Sequence, residues 1–139
     1  MQGFYDATGN PVKGFNVYTE DGRNFILLDD YAYERKDGCR ITISKGATSD
    51  GASTPPVLWP TLPPFGRYWP AAYLHDYLYR NPSPDKDFAD ETLLDAMEFL
   101  GVWDVDAKII YEGVKVGGES SYEEDVKQWK AKYPLDNPP

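Results

Sequence analysis

His75 is the single histidine of this 139-residue chain, and Asp76 follows it directly in the run Ala72-Tyr73-Leu74-His75-Asp76-Tyr77-Leu78-Tyr79-Arg80-Asn81. A second run, after Pro84, places Asp90 three, four and seven residues before Leu93, Leu94 and Met97. That spacing writes a carboxylate into the apolar stripe of an amphipathic helix, where it is costly unless paired. The partner follows from simple measurement. His75 lies five residues before Arg80, and Asp90 six residues after Pro84. At ~1.5 Å rise per residue, each stands ~8–9 Å from the turn between the helices. Antiparallel packing sets them at one height, so a His75–Asp90 hydrogen bond is expected. An imidazole oriented by a carboxylate can serve as a general base. If the pair only holds two helices together, Asp90→Leu should be tolerated.

Asp76 lies ~100° around the helix from His75 and points away from Asp90, toward whatever covers the start of that helix. The Asp50–Pro56 segment is the expected cover. Asp76 with Asp50, Ser53 and loop carbonyls would form an all-oxygen site of the kind that calcium prefers. Arg80, four residues after Asp76, offers the ordinary alternative of an exposed salt bridge worth ~0.3–0.5 kcal/mol. Tyr79 and Ser53 are candidate substrate contacts; Ser53 lacks the setting of a nucleophile. Cys39 is the only cysteine, so an intramolecular disulfide is excluded. One cysteine and one histidine also exclude zinc-finger spacings and HExxH zincins. No nucleotide or haem site is apparent.

These residues must be positioned by an α+β chain. Phe15 to Tyr18, Phe25 to Arg35 and Cys39 to Ser44 read as strands, separated by the hairpin dipeptides Asp21-Gly22 and Asp37-Gly38. Together they predict a small antiparallel β meander over residues 1–45, with Cys39, Ile41 and Ile43 on its buried face. Residues 46–68 carry five prolines and read as a packed loop without regular structure. The helical part spans 69–133. It comprises Ala71–Arg80 with Pro70 in its first turn, then a helix capped by Ser83 with Pro84 at its first position, running to about Leu100. Asp104 starts a third helix, about Val105 to Val116, and Ser121-Tyr122-Glu123-Glu124 caps a last one to about Tyr133. Residues 134–139 are a tail, and the whole reads as one domain.

The net charge is −9, and residues 70–139 hold 15 acids against 7 bases. This argues against nucleic-acid binding and against docking on an anionic membrane through a basic patch. Leu, Ile, Val and Phe total only 29 residues, so 11 Tyr and 4 Trp must supply much of the core. No run approaches the ~18 apolar residues of a spanning helix. Nor does the N-terminus carry a secretory signal.

Two resemblances emerge. Asp50-Gly51-Ala52-Ser53-x-Pro55, His75-Asp76-x-Leu78-Tyr79, Ala89-Asp90 and Ala96-Met97 resemble an uncharacterised phage and prophage family with DGAS-x-P and HD-x-L-Y motifs, over about residues 44–116. This implies a phage origin, with the virion or the host cytoplasm as the location, and identifies no reaction. The His75-to-Asn81 run is also similar to the HD-x-x-Y-R-N helix of microbial secreted phospholipase A2 enzymes, and Asp90, followed by Asp95 and Met97, to the second helix of that family. The resemblance implies His75 as the base for a water, Asp90 as its orienting acid and Asp76 as a calcium ligand. The chain departs from that family in having no disulfides and no glycine-rich calcium loop, and Leu93 stands where the family has Phe. Three functions are thus in play. The first is a calcium-assisted ester hydrolase. The second is a virion or tail component bound to other phage structural proteins, with a structural His–Asp pair. The third is a protein that blocks a host factor through its acidic half.

Overall fold

The computed structural model describes residues 1–22, 24–49, 68–81 and 85–117, together with Glu123 and Lys127. The N-terminal part forms seven short strands: β1 (Gly3–Asp6), β2 (Pro11–Val12), β3 (Val17–Tyr18), β4 (Phe25–Leu27), β5 (Tyr31–Glu34), β6 (Arg40–Ile43) and β7 (Thr48–Ser49). Helices α1 (Trp69–Arg80), α2 (Lys86–Phe99) and α3 (Asp104–Gly117) follow among the described residues. The chain is therefore α+β. The single meander expected from the sequence is instead two antiparallel sheets, one in the order β2-β1-β5-β6 and the other β3-β4-β7.

The difference has local causes. The Phe25-to-Arg35 run, read as one strand, breaks at Leu28-Asp29-Asp30. There Asp30 accepts the Lys45 backbone N–H at 2.6 Å and Asp29 accepts Asn16 Nδ2 at 3.0 Å. These bonds tie the bend to segments 13 and 15 residues away in sequence, and β4 and β5 on either side of it enter different sheets. Thr48 and Ser49, expected in the irregular segment, pair with Ile26 and Phe25. Cys39 is exposed rather than buried. It lies in the turn before β6, its N–H donating to Asp37 Oδ1 at 2.9 Å and its carbonyl accepting from the Arg35 N–H at 2.8 Å. The two-residue alternation thus begins at Arg40, with Ile41 and Ile43 inside.

The core is aromatic, as the composition requires. Phe4, Tyr33 and Tyr73 are fully buried with Leu27, Ile43, Leu74, Leu93 and Met97. Helix α2 faces the four-stranded sheet. Asp95 accepts the Tyr33 hydroxyl, Gln2 Nε2 at 3.1 Å and the Lys36 N–H at 3.1 Å. Helix α1 faces the other sheet, where the Tyr73 hydroxyl donates to the Ala47 carbonyl at 2.7 Å. Burial pushes that phenol up to about 12.

Helix α2 starts later than expected. Asp85, not Ser83, is its N-cap, accepting the Phe88 N–H at 2.8 Å. Ser83 and Pro84 and most of the proline-rich segment lie outside the described residues; of the expected last helix only Glu123 and Lys127 are described, and both are helical.

Candidate active site around His75

Helices α1 and α2 form a hairpin joined by residues 81–85, and its interior holds the predicted contact. His75 Nε2 and Asp90 Oδ1 are 2.8 Å apart. Asp90 is 1% exposed and His75 7%. Asp90 has two further partners. The Tyr79 hydroxyl, one turn after His75, donates to Oδ1 at 2.7 Å. Lys86 Nζ, one turn before Asp90 on α2, donates to Oδ2 at 2.7 Å. The same ammonium reaches the Val114 and Lys115 carbonyls at 3.2 and 3.3 Å. These lie at the C-terminal end of α3, where the helix dipole favours a cation.

The carboxylate is ionised. Burial pushes its pKa up, but hydrogen bonds from His75, Lys86 and Tyr79 outweigh burial and hold Asp90 below the ordinary aspartate value. An ionised carboxylate only accepts hydrogen bonds, so His75 Nε2 carries the proton it shares with Asp90. In the neutral ring Nδ1 is then the basic nitrogen. Among the described residues Nδ1 meets no hydrogen-bond partner. The Tyr79 ring packs 4.1 Å from the imidazole, centroid to centroid. Tyr79, expected as a substrate contact, has its hydroxyl committed to Asp90.

Asp76 does turn away from Asp90. Its Oδ2 accepts the Ser49 hydroxyl at 2.5 Å. Arg80, one turn on, donates to Thr48 Oγ1 at 2.8 Å. Strand β7 thus lies beside the C-terminal half of α1, from Asp76 to Arg80, not over its start, where the Asp50–Pro56 segment was expected. Asp50 and Ser53 lie outside the described residues. Among the described residues no group of three His, Cys, Asp or Glu side chains could hold a metal ion; Asp76 and Ser49 supply one carboxylate and one hydroxyl.

Sequence reasoning missed Lys86. Its signal was present, because Lys86 and Asp90 stand at i and i+4 on one helix, but only His75 was weighed as a partner for Asp90. Asp76 was expected to turn toward the segment that includes Ser49, and it does; that Thr48 and Ser49 form a strand was not read, because both were assigned to the irregular segment.

Fold and site together define a class: a small α+β protein with, among the described residues, two short antiparallel sheets followed by helices α1 to α3, and a buried His–Asp–Lys–Tyr network in its helix hairpin. The chain belongs to the family described as protein of unknown function (DUF1353), whose family model matches residues 25–114. His75, Asp76, Tyr79, Lys86 and Asp90 all fall within the matched part. No curated protein and no solved structure matches the chain. Among the described residues, no helix is long and apolar enough to cross a membrane.

Proposed function

We propose that this protein is a phage-encoded hydrolase in which His75 activates a water, in the manner of a phospholipase A2. The observation that carries the reading is the buried 2.8 Å contact between His75 Nε2 and the ionised Asp90, which leaves Nδ1 as the base. In the step proposed, Nδ1 takes a proton from water as the oxygen adds to an ester carbonyl. The same proton then passes to the departing alkoxide as the acyl–oxygen bond breaks. Calcium held by Asp76, with Ser49 and Asp50, would polarise that carbonyl. The lipid ester as substrate rests on the resemblance of the His75-to-Asn81 run alone.

The test is fatty-acid release from phospholipid vesicles with calcium present. Wild type should release fatty acid, and His75→Gln should lose about a hundredfold or more, the range of a general base. Release that survives His75→Gln overturns the mechanism.

A second reading is supported by one observation. Lys86 fills the remaining oxygen of Asp90 and also binds the end of α3, so the network joins α1, α2 and α3 as a structural bracket would. In that reading the protein is a virion or tail component, or meets a host factor through its acidic half. Inactive wild type with a His75→Gln variant that melts several degrees lower would favour it.

A further inference from the structure

Helix α3 carries two apolar faces. Ala107, Ile110 and Val114 pack inward against the core. On the opposite side stand Val105, Ile109 and Val116, which are 67%, 42% and 80% exposed, with Trp103 at 78% just before the helix. At 100° per residue Val105, Ile109, Glu112 and Val116 fall within a strip ~60° wide, centred ~180° from the buried face. Their spacing of four, three and four is that of a helix–helix seam. Gly113 borders the strip, and a Cβ there would meet nothing within 4 Å. A glycine inside a helix costs about 1 kcal/mol against alanine, and no contact among the described residues calls for one here. A missing side chain beside an apolar seam lets a second helix approach.

The charges along the strip identify that helix. One flank reads Asp104, Lys108, Glu112, Lys115, with alternating sign. Turned end for end about a two-fold axis near residue 110, this flank meets its own copy with Lys108 opposite Glu112 and Asp104 opposite Lys115. Every acid then faces a base. A parallel pairing would set the same flank against Asp106 and Gly113, which offer no such alternation. Antiparallel helix dipoles also attract.

We propose that α3 is a self-association surface, pairing antiparallel with α3 of a second copy of this chain. One 14-residue helix pair buries less than the roughly 1,200–2,000 Å² of stable interfaces. The dimer should therefore exchange with monomer in the micromolar range. Sedimentation velocity on the full chain across that range should show a reversible monomer–dimer equilibrium. Ile109→Lys should weaken it at least tenfold while leaving the melting temperature of the monomer unchanged. Lys108→Glu and Glu112→Lys should each weaken it, because each sets like charges together twice in the dimer. The double variant should restore wild-type association. A double variant no better than either single one overturns the antiparallel pairing, as does a dimer indifferent to all of these changes. A wild type that stays monomeric overturns the proposal as a whole. In that case an Ile109→Lys variant that melts lower shows the strip covered by its own chain, and one that melts normally leaves the strip to a different protein.

Discussion

At the scale of single residues, the consequential one is Asp90. It is the acceptor for three side chains from two helices, so its replacement is not the neutral exchange that a simple pair would allow. Asp90→Leu strands the Lys86 ammonium and two hydrogen-bond donors, and should lower unfolding free energy by about 3–5 kcal/mol in urea titrations. Asp90 also makes stability depend on pH. Its pKa is depressed in the folded state, so its contribution is present above the unfolded value of about 3.9 and is lost as pH falls through the folded value. Melting temperatures followed from pH 6 down to about 2.5 should therefore fall more steeply for wild type than for Asp90→Asn. Asp76 tests the cation. Calcium at about a hundredfold excess over its Kd would add about 2.7 kcal/mol, several degrees in melting temperature, and Asp76→Asn should abolish the rise. Equal melting with calcium and with chelator would remove the cation from the proposed mechanism. The His75–Asp90 contact was legible because helix rise and the apolar stripe around Asp90 allow only one arrangement. Lys86 was not, because a lysine's reach into a pocket depends on where α3 ends, and no local pattern states that.

Helices and strands differed in how readily they could be read. Helix α1 and helix α3 start and stop within two residues of their expected ends, since apolar periodicity, Pro70 and the glycine at 117 are local signals. The cap of α2 shifted from Ser83 to Asp85 because both residues suit the role and only the Phe88 N–H, 2.8 Å from Asp85, decides between them. Asp85→Ala should cost about 1 kcal/mol in urea denaturation. The strands were harder, because pairing between distant segments cannot be read from alternation within one of them. Strand β1 went unnoticed. It begins at Gly3, whose φ of 147° favours glycine and where a Cβ would stand 2.9 Å from the Phe99 ring. That ring packs against Phe4 and Tyr33, so moving it to make room for a methyl disturbs both contacts. Gly3→Ala should destabilise by about 1–3 kcal/mol, and a wild-type-like melting curve would show that the N-terminal strand is dispensable.

Across the whole molecule, the aromatic composition and the acid-rich second half were plain in the sequence, and so was the division into strands followed by helices. The interleaving of the two sheets was not, because it depends on a bend at Asp29-Asp30 that sends consecutive strands to different neighbours. That interleaving bears on how the chain folds. The four-stranded sheet draws on the first, second, fifth and sixth strands and the other on the third, fourth and seventh. Neither sheet is complete until most of the β region has been ordered, so no early hairpin can mature alone into a stable half. Contacts of long sequence separation then dominate the barrier, and ordering should be slow for a chain of this length. Both sheets should also open together in hydrogen exchange, as one cooperative unit. A fragment cut to residues 25–114, the span matched by the family, lacks β1, β2 and β3 and loses the buried Phe4. Such a fragment should stay unfolded by circular dichroism, although it keeps every residue of the His75 network.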